Sequence, residues 1–181
     1  DIVVEATGAF TYYEKSKMHL DAGAKRVVIT APVKDEPPEG LNGATVLIGV
    51  NEEKLQTCDI SSNASCTTNA GSPIMQILHE NLGIEKAFLN TIHGYTSSQA
   101  IVDSPNKKDV RRGRAAAINI VPSTTGAAKA VTKAVTELEN KFDGIAIRVP
   151  VAAGSIVDIT FLSKKDTSVE EINKILRDSA T

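Results

Sequence analysis

Apolar residues in this chain come in short runs with turn residues between them. Ile2-Val3-Val4 reads as a buried strand that runs into Thr7-Gly8. Tyr13 to Asp21 has helical character and stops at Ala22-Gly23-Ala24, where Gly23 suits a helix C-terminus. Arg26 to Ala31 is the next strand, closed by Pro32. Asp35 to Gly43, with Pro37-Pro38 and Gly40, is a loop or hairpin tip. Ala44 to Val50 is another strand, and Asn51 to Leu55 a short helical turn. Strand, helix and strand with short punctuation predict a parallel α/β sheet, because parallel neighbours need a crossover between them. A strand end at Asp59-Ile60 then gives way to the polar segment Ser61-Ser62-Asn63-Ala64-Ser65-Cys66.

Beyond that segment the pattern changes. Thr67 to about Glu80 is a helix, Ala87 to His93 a strand, and Gly94 to about Arg114 a long irregular stretch. Ala115 to Val121 is expected as a strand, Gly126 to Asn140 as a helix, and Gly144 to Val151 and Ser155 to Leu162 as strands. The closing helix, Val169 to Ser179, starts with a capping box in one of two registers, Thr167 with Glu170 or Ser168 with Glu171. More strands per helix and longer connections indicate an α+β domain, so the boundary falls at the cysteine, giving 1–65 and 66–181. No internal repeat or low-complexity tract is visible.

Composition narrows the class. The 181 residues suffice for one large domain or parts of two. With 41% apolar and 23% charged residues the chain is ordinary for a soluble globular protein. A formal charge of −2 argues against a dedicated nucleic-acid or membrane surface. No apolar run reaches bilayer-spanning length and no signal peptide opens the chain. Two cysteines, Cys58 and Cys66, are too few for a disulfide framework, and a reducing cytoplasm is the expected setting. The sequence opens at Asp1 inside an apolar strand, without methionine, and reads as a cut edge.

Candidate chemistry centres on Cys66. At the first turn of a helix a thiol lies over N–H groups that have no intrahelical partner, near the positive end of the helix dipole. Both favour thiolate, the nucleophilic form. A buried structural cysteine is the plainer reading, but the flanking hydroxyls and amides are poor material for an apolar core. His93 ends a later strand and is the candidate base. His19 and His79 sit on helices among polar residues and read as solvated surface. Arg111-Arg112-Gly113-Arg114 occupies a long loop, where functional residues concentrate, though a solvated charge run is the usual meaning of such a cluster. Ser123-Thr124-Thr125-Gly126 runs into a helix N-terminus, which serves equally as an anion site or a plain cap. Arg148, between Ile147 and Val149 in a strand, needs a partner, either a substrate phosphate or a structural carboxylate.

Together these stretches resemble phosphorylating glyceraldehyde-3-phosphate dehydrogenase. Ser62-Asn63-Ala64-Ser65-Cys66-Thr67-Thr68-Asn69 is similar to that family's active-site signature. His93-Gly94-Tyr95-Thr96, Arg111 to Ala116, Ser123 to Ala130 and Arg148-Val149-Pro150 follow in the family's order. The resemblance covers essentially the whole chain. It implies the C-terminal part of a Rossmann-type parallel-sheet domain followed by most of an α+β catalytic domain. It implies Cys66 as nucleophile and His93 as base, with a nicotinamide cofactor, NAD or NADP, taking the hydride. Ser65, Thr67, Thr125 and Gly126 match one phosphate site, Thr96 and Arg148 the other, and Arg112 the arginine close to both. Thr7, Gly8 and Thr30 match segments that border the dinucleotide, and no metal site is assigned. Substrates implied are a phosphorylated aldehyde and inorganic phosphate, and the assembly implied is a homotetramer.

The sequence also departs from the family. Ala70 stands where many relatives carry a second cysteine, which leaves the chemistry intact. Within Asp103-Ser104-Pro105, Pro105 follows the NAD pattern and Ser104 does not, so the lean is toward NAD. The glycine-rich turn and acidic ribose-binding residue that open the family's dinucleotide domain are not in this sequence, nor is the family's closing helix, so a fragment is expected. Alternatives from the same residues are an erythrose-4-phosphate dehydrogenase, a Cys/His acyl-transfer enzyme or hydrolase indifferent to nicotinamide, and a non-catalytic fragment.

Overall fold

Two sheets joined by one long helix make up the computed structural model, which describes residues 1–107 and 109–180. The first sheet has four strands, β1 (Ile2–Glu5), β2 (Arg26–Ile29), β3 (Gly43–Thr45) and β4 (Ile60–Ser62), in the order β1-β2-β4-β3. All its neighbours are parallel, as the pattern predicts. Helix α1 (Tyr13–Asp21) forms the crossover from β1 to β2, and Gly23, just past its end, has φ +103. Tyr13, Val27, Ile29 and Ile60 pack as the core of this part. Because β1, β2 and β4 run the same way, their C-terminal ends share one edge. Thr7-Gly8, Thr30 and the approach to Cys66 all leave from that edge.

The second sheet holds β5 (Ile84–Gly94), β6 (Val121–Thr124), β7 (Phe142–Val149) and β8 (Ser155–Ser163) in the order β6-β7-β5-β8. Only β5 and β7 are parallel; the outer pairs are antiparallel. Helices α2 (Cys66–Leu82), α3 (Ala127–Ala134) and α4 (Val169–Asp178) complete this part. Met75, Leu78 and Leu82 lie three and four residues apart on α2, so one helix face meets Leu89, Val131, Leu138 and Phe142 in a single apolar cluster. Ile172 and Ile175 of α4 and Val157, Ile159 and Phe161 of β8 pack against it. The alternate sheet positions Phe88, Ile145, Ile156 and Leu162 are exposed. Among the described residues no helix is long and apolar enough to cross a membrane.

Local expectations fail where a polar side chain redirects the backbone. The strand expected over Ala44 to Val50 ends at Thr45, because Asn51 Oδ1 accepts from Leu47 N–H (2.8 Å) and Val50 and Asn51 N–H both return to Leu47 O (3.2 Å). The strand expected from Ala115 to Val121 is a turn; β6 begins only at Val121, and Asn119 Nδ2 donates back to Ala115 O at 3.0 Å. The helix expected over Gly126 to Asn140 stops at Ala134 and continues as a 3-10 turn, Thr136–Leu138, with Asn140 at φ 61. The capping box takes the second register, Glu171 N–H donating to Ser168 Oγ at 3.2 Å. Nor are His19 and His79 simply solvated: His79 Nδ1 accepts from Ile84 N–H at 3.0 Å and His19 Nε2 lies 3.1 Å from Glu5 Oε2.

At Gly144 the two central strands leave no room for a side chain. It pairs with Leu89 across β5 and β7, and a Cβ there would lie 2.6 Å from the Leu89 carbonyl oxygen. A methyl group can be seated only by parting the strands, an overpacking cost of about 2 kcal/mol. The Gly144→Ala protein therefore unfolds at a lower denaturant concentration with unchanged slope. An unchanged midpoint would contradict this packing.

Candidate active site

The turn from β4 into α2 is built to present Cys66. Buried Ser62 donates its hydroxyl to Ala31 O (2.7 Å) and accepts from Ala64 N–H (3.1 Å). That bond holds Ala64 at φ 57, a left-handed conformation costing a non-glycine residue about 1 kcal/mol or more. Ser65 is the N-cap, its Oγ accepting from Thr68 N–H at 3.2 Å, and Asn69 Nδ2 ties Asn63 O (2.8 Å) to Ser65 O (2.9 Å). Cys66 is then the first residue of α2, exposed, at the end where the free N–H groups favour negative charge by about 0.3–1 kcal/mol.

His93, near the end of β5, brings its Nε2 to 3.4 Å from Cys66 Sγ. Its register partner on parallel β7 is Arg148, so the two side chains stand together on one face. Arg148 Nη1 lies 2.6 Å from His93 Nδ1 and donates to Gly94 O at 3.2 Å, while His93 Nδ1 is 2.7 Å from the same oxygen. Burial pulls the Arg148 pKa down, the like charge of Arg112 adds to this, and Cys66 opposes it. Among the described residues no carboxylate pairs with Arg148.

The remaining candidates fall in two groups. Arg112 Nη2 reaches Thr124 O at 3.5 Å, which sets it beside Thr125 and Gly126 at the start of α3. Its like charge also acts on Arg148. Ala100 N–H donates to Arg112 O (2.9 Å) and Ala116 N–H to Ala100 O (3.0 Å), tying the segment after Thr96 to the arginine loop. Thr96 Oγ1 lies 2.8 Å from Ser98 Oγ, a hydroxyl pair whose second member the sequence reading passes over. Some candidates serve the fold directly: Ser65 caps α2, Thr125 Oγ1 accepts from Ala127 N–H at 3.1 Å, and Thr67 is buried. Arg111 and Arg114 are held by Asp109 (3.0 Å) and Asp103 (2.7 Å).

Thr7-Gly8 and Thr30 border the shared edge of the parallel sheet, with Gly8 at φ +76 and Thr30 N–H donating to Glu5 O at 3.0 Å. Exposed residues at the carboxyl ends of adjacent parallel strands fit a dinucleotide. Glu5 organises this edge and escapes the sequence reading, although an acid closing an apolar run two residues before a hydroxyl is a legible signal. Its carboxylate accepts from Thr7 N–H at 2.8 Å and from the Thr7 hydroxyl. The Thr7 hydroxyl bond chiefly holds its pKa below the usual carboxylate value. A lowered native pKa contributes stability above the ordinary glutamate range and loses it as pH falls through the native value. On acidification the wild-type denaturant midpoint therefore drops more steeply than that of Glu5→Gln, and parallel curves would contradict this linkage.

Among the described residues no group of three or more His, Cys, Asp or Glu could hold a metal ion. A cavity of about 1050 Å³ lies elsewhere, among Lys86, Phe88, Lys129, Lys133, Phe142 and Phe161.

Comparison with known proteins finds clear relatives. Residues 65–181 match the family described as glyceraldehyde 3-phosphate dehydrogenase, C-terminal domain. The glyceraldehyde-3-phosphate dehydrogenase of Mycolicibacterium smegmatis is 49% identical over 181 residues, 99% of this chain and 51% of that protein. That of Mycobacterium leprae is 47% identical over the same shares. Glyceraldehyde-3-phosphate dehydrogenase B of Aspergillus oryzae is 45% identical over 180 residues, 99% of this chain and 52% of that protein. The chain spans about half the length of the curated relatives it matches.

Proposed function

From the premise that this chain belongs to the glyceraldehyde 3-phosphate dehydrogenase family, we propose that the complete protein oxidises glyceraldehyde 3-phosphate to an acyl phosphate through a thioester on Cys66. The observation that carries this reading is an exposed thiol at a helix N-terminus, 3.4 Å from a histidine that stands beside a half-buried arginine. Residues 1–65 serve as part of a dinucleotide-binding domain and 66–181 as the catalytic domain.

Cys66 Sγ attacks the aldehyde carbon. The S–C bond forms, the carbonyl electron pair moves to oxygen, and His93 Nε2 passes the thiol's proton to that oxygen. As the thioester forms, Nε2 holds the proton released from the hydroxyl. NAD or NADP, bordered by Thr7, Gly8 and Thr30, supplies the hydride acceptor when bound. Inorganic phosphate then attacks the thioester carbonyl, the C–S bond breaks, and sulfur leaves as thiolate toward the N–H groups of α2. Arg148 and Thr96 hold one phosphate, and Ser65, Thr67, Thr125 and Gly126 the other. Arg112 adds charge between the two. Cytoplasmic placement rests on the two free cysteines, and a homotetramer would cover the apolar sheet face bearing Phe88, Ile156 and Leu162.

The test is nicotinamide reduction by the complete protein with glyceraldehyde 3-phosphate, with and without inorganic phosphate. Sustained reduction that requires phosphate is the expected result. A folded protein that reduces neither NAD nor NADP would exclude the reading and return attention to nicotinamide-independent acyl transfer.

A further inference from the structure

Resting on that reading, in which Thr7, Gly8 and Thr30 border the dinucleotide, we propose that Glu5 is the positioning residue of this border. It fixes the Thr7-Gly8 turn in its binding shape and turns the hydroxyl protons of Thr7 and Thr30 inward. The edge then receives a hydroxyl or amide N–H of the dinucleotide and not one of its phosphates. Packing does not hold the turn: Ala6, Thr7, Gly8 and Ala9 are all exposed and lie outside any helix or strand. Glu5, the last residue of β1, is by contrast buried. Its carboxylate accepts from Thr7 N–H at 2.8 Å and from the Thr7 hydroxyl, and Thr7 Oγ1 accepts in turn from Ala9 N–H at 3.1 Å. These bonds close the chain around Gly8, whose φ is +76. The second carboxylate oxygen lies 3.1 Å from His19 Nε2 on α1, which keeps the group from rotating.

The same bonds set the polarity of the edge. An ionised carboxylate can only accept, and a hydroxyl has a single proton to give. Thr7 gives its proton to Glu5 Oε1. Thr30 gives its own to the Glu5 carbonyl oxygen at 3.2 Å, and that oxygen also receives Thr30 N–H at 3.0 Å. Both exposed side chains are left with oxygen lone pairs, which match a donor on the ligand. A pyrophosphate oxygen, which has only lone pairs and negative charge, meets no hydroxyl proton here.

By charge alone Glu5 is a poor neighbour for a pyrophosphate-bearing ligand. Among the described residues its ion-pair partner is His19, with no lysine or arginine in reach. What the carboxylate contributes is shape. The exposed turn is ordered before the ligand arrives, so its ordering does not subtract from affinity. Removing the carboxylate therefore has two opposed effects, relief of repulsion and loss of order, and the sign of the change in affinity tells them apart.

The experiment titrates the complete protein calorimetrically with NAD and with NADP, without aldehyde, and carries the ligand that the wild type binds more tightly through the variants. Affinity is expected to fall from wild type to Glu5→Gln to Glu5→Ala, the last binding about tenfold more weakly because two bonds to a charged acceptor are lost. Thr7→Val also loses about tenfold, whereas Thr7→Ser, which keeps the hydroxyl, stays within about threefold of wild type. Inorganic pyrophosphate, titrated alone, shows no such loss in Thr7→Val. Tighter binding by both Glu5 variants would mean that Glu5 acts through charge, and that overturns the proposal. So do equal dissociation constants in variants that circular dichroism shows to be folded, a Thr7→Ser protein as weak as Thr7→Val, a tenfold loss of pyrophosphate in Thr7→Val, or a wild type that binds neither dinucleotide. If Glu5→Ala does not fold, Glu5→Gln and the Thr7 pair decide. Since no turnover is required, a protein that binds a dinucleotide as expected but reduces neither keeps this proposal and loses the aldehyde-oxidation reading, and the reverse result loses this proposal alone.

Discussion

The Cys66→Ser protein turns over on the order of 10⁴-fold more slowly than the wild type and unfolds at the same denaturant concentration. The magnitude follows from ionisation. A free thiol has a pKa of about 8.5, whereas a hydroxyl approaches water at about 15.7, so the ionised fraction falls by about seven orders. The more basic oxygen anion recovers less than half of that on a logarithmic scale, because nucleophilicity rises with a Brønsted slope of about 0.4–0.5. An alkoxide is also a poorer leaving group when phosphate attacks the acyl intermediate. Stability is untouched because the thiol is exposed, whereas the turn that presents it is held by Ser62, Ser65 and Asn69. Limiting iodoacetamide separates this site from the second thiol. Cys58 is only 4% exposed and burial pushes its pKa up, so it reacts after unfolding, whereas Cys66 reacts in the native protein. A serine variant within tenfold of wild-type turnover would show that sulfur is not the nucleophile.

How much of this is legible in the sequence depends on whether the determinant is local. The N-cap Ser65 and the polar stretch before Cys66 announce a helix start, and α2 begins there. The strand-helix-strand rhythm of the first part yields the parallel sheet, and thereby the shared edge carrying Thr7-Gly8 and Thr30. What pairs Arg148 with His93 is register, Cα partners separated by more than fifty positions along the chain, and no window of residues encodes that. The Gly94 carbonyl is invisible for another reason: it is a backbone group that any residue would supply. Ala115 to Val121 misleads because an apolar run is taken as a buried strand, yet Ile118 and Ile120 are 79% and 70% exposed. Their neighbourhood is set by the arginine loop, which Asp103 and Asp109 stitch together through Arg114 and Arg111. Arg112, whose Nε lies 3.9 Å from Asp109, is the arginine whose Nη2 also reaches Thr124 O, a distinction the run Arg111-Arg112-Gly113-Arg114 does not carry on its face.

Loss of the base is the second large effect. In His93→Asn, turnover falls by about 10²–10⁴-fold, the usual contribution of a positioned acid–base group, with a much smaller change in KM. The asparagine amide can still donate toward the region of Sγ but cannot accept and return a proton, so every step that moves the hydroxyl proton slows. Steps in which, on the proposed reading, phosphate groups are held by Arg148, Arg112 and the α3 terminus are spared, and these dominate KM. Two further readouts separate a missing base from a disturbed fold. Alkylation of Cys66 slows, because the 3.4 Å contact that would receive its proton is gone, while the α2 terminus still presents the thiol. Deuterium at the aldehyde carbon slows the variant more than the wild type, because proton removal and hydride departure from that carbon become rate-limiting together. A variant with turnover within tenfold of wild type, or with undiminished alkylation, would mean that the proton leaves Cys66 by another route, and the 3.4 Å pair would then be a structural contact only.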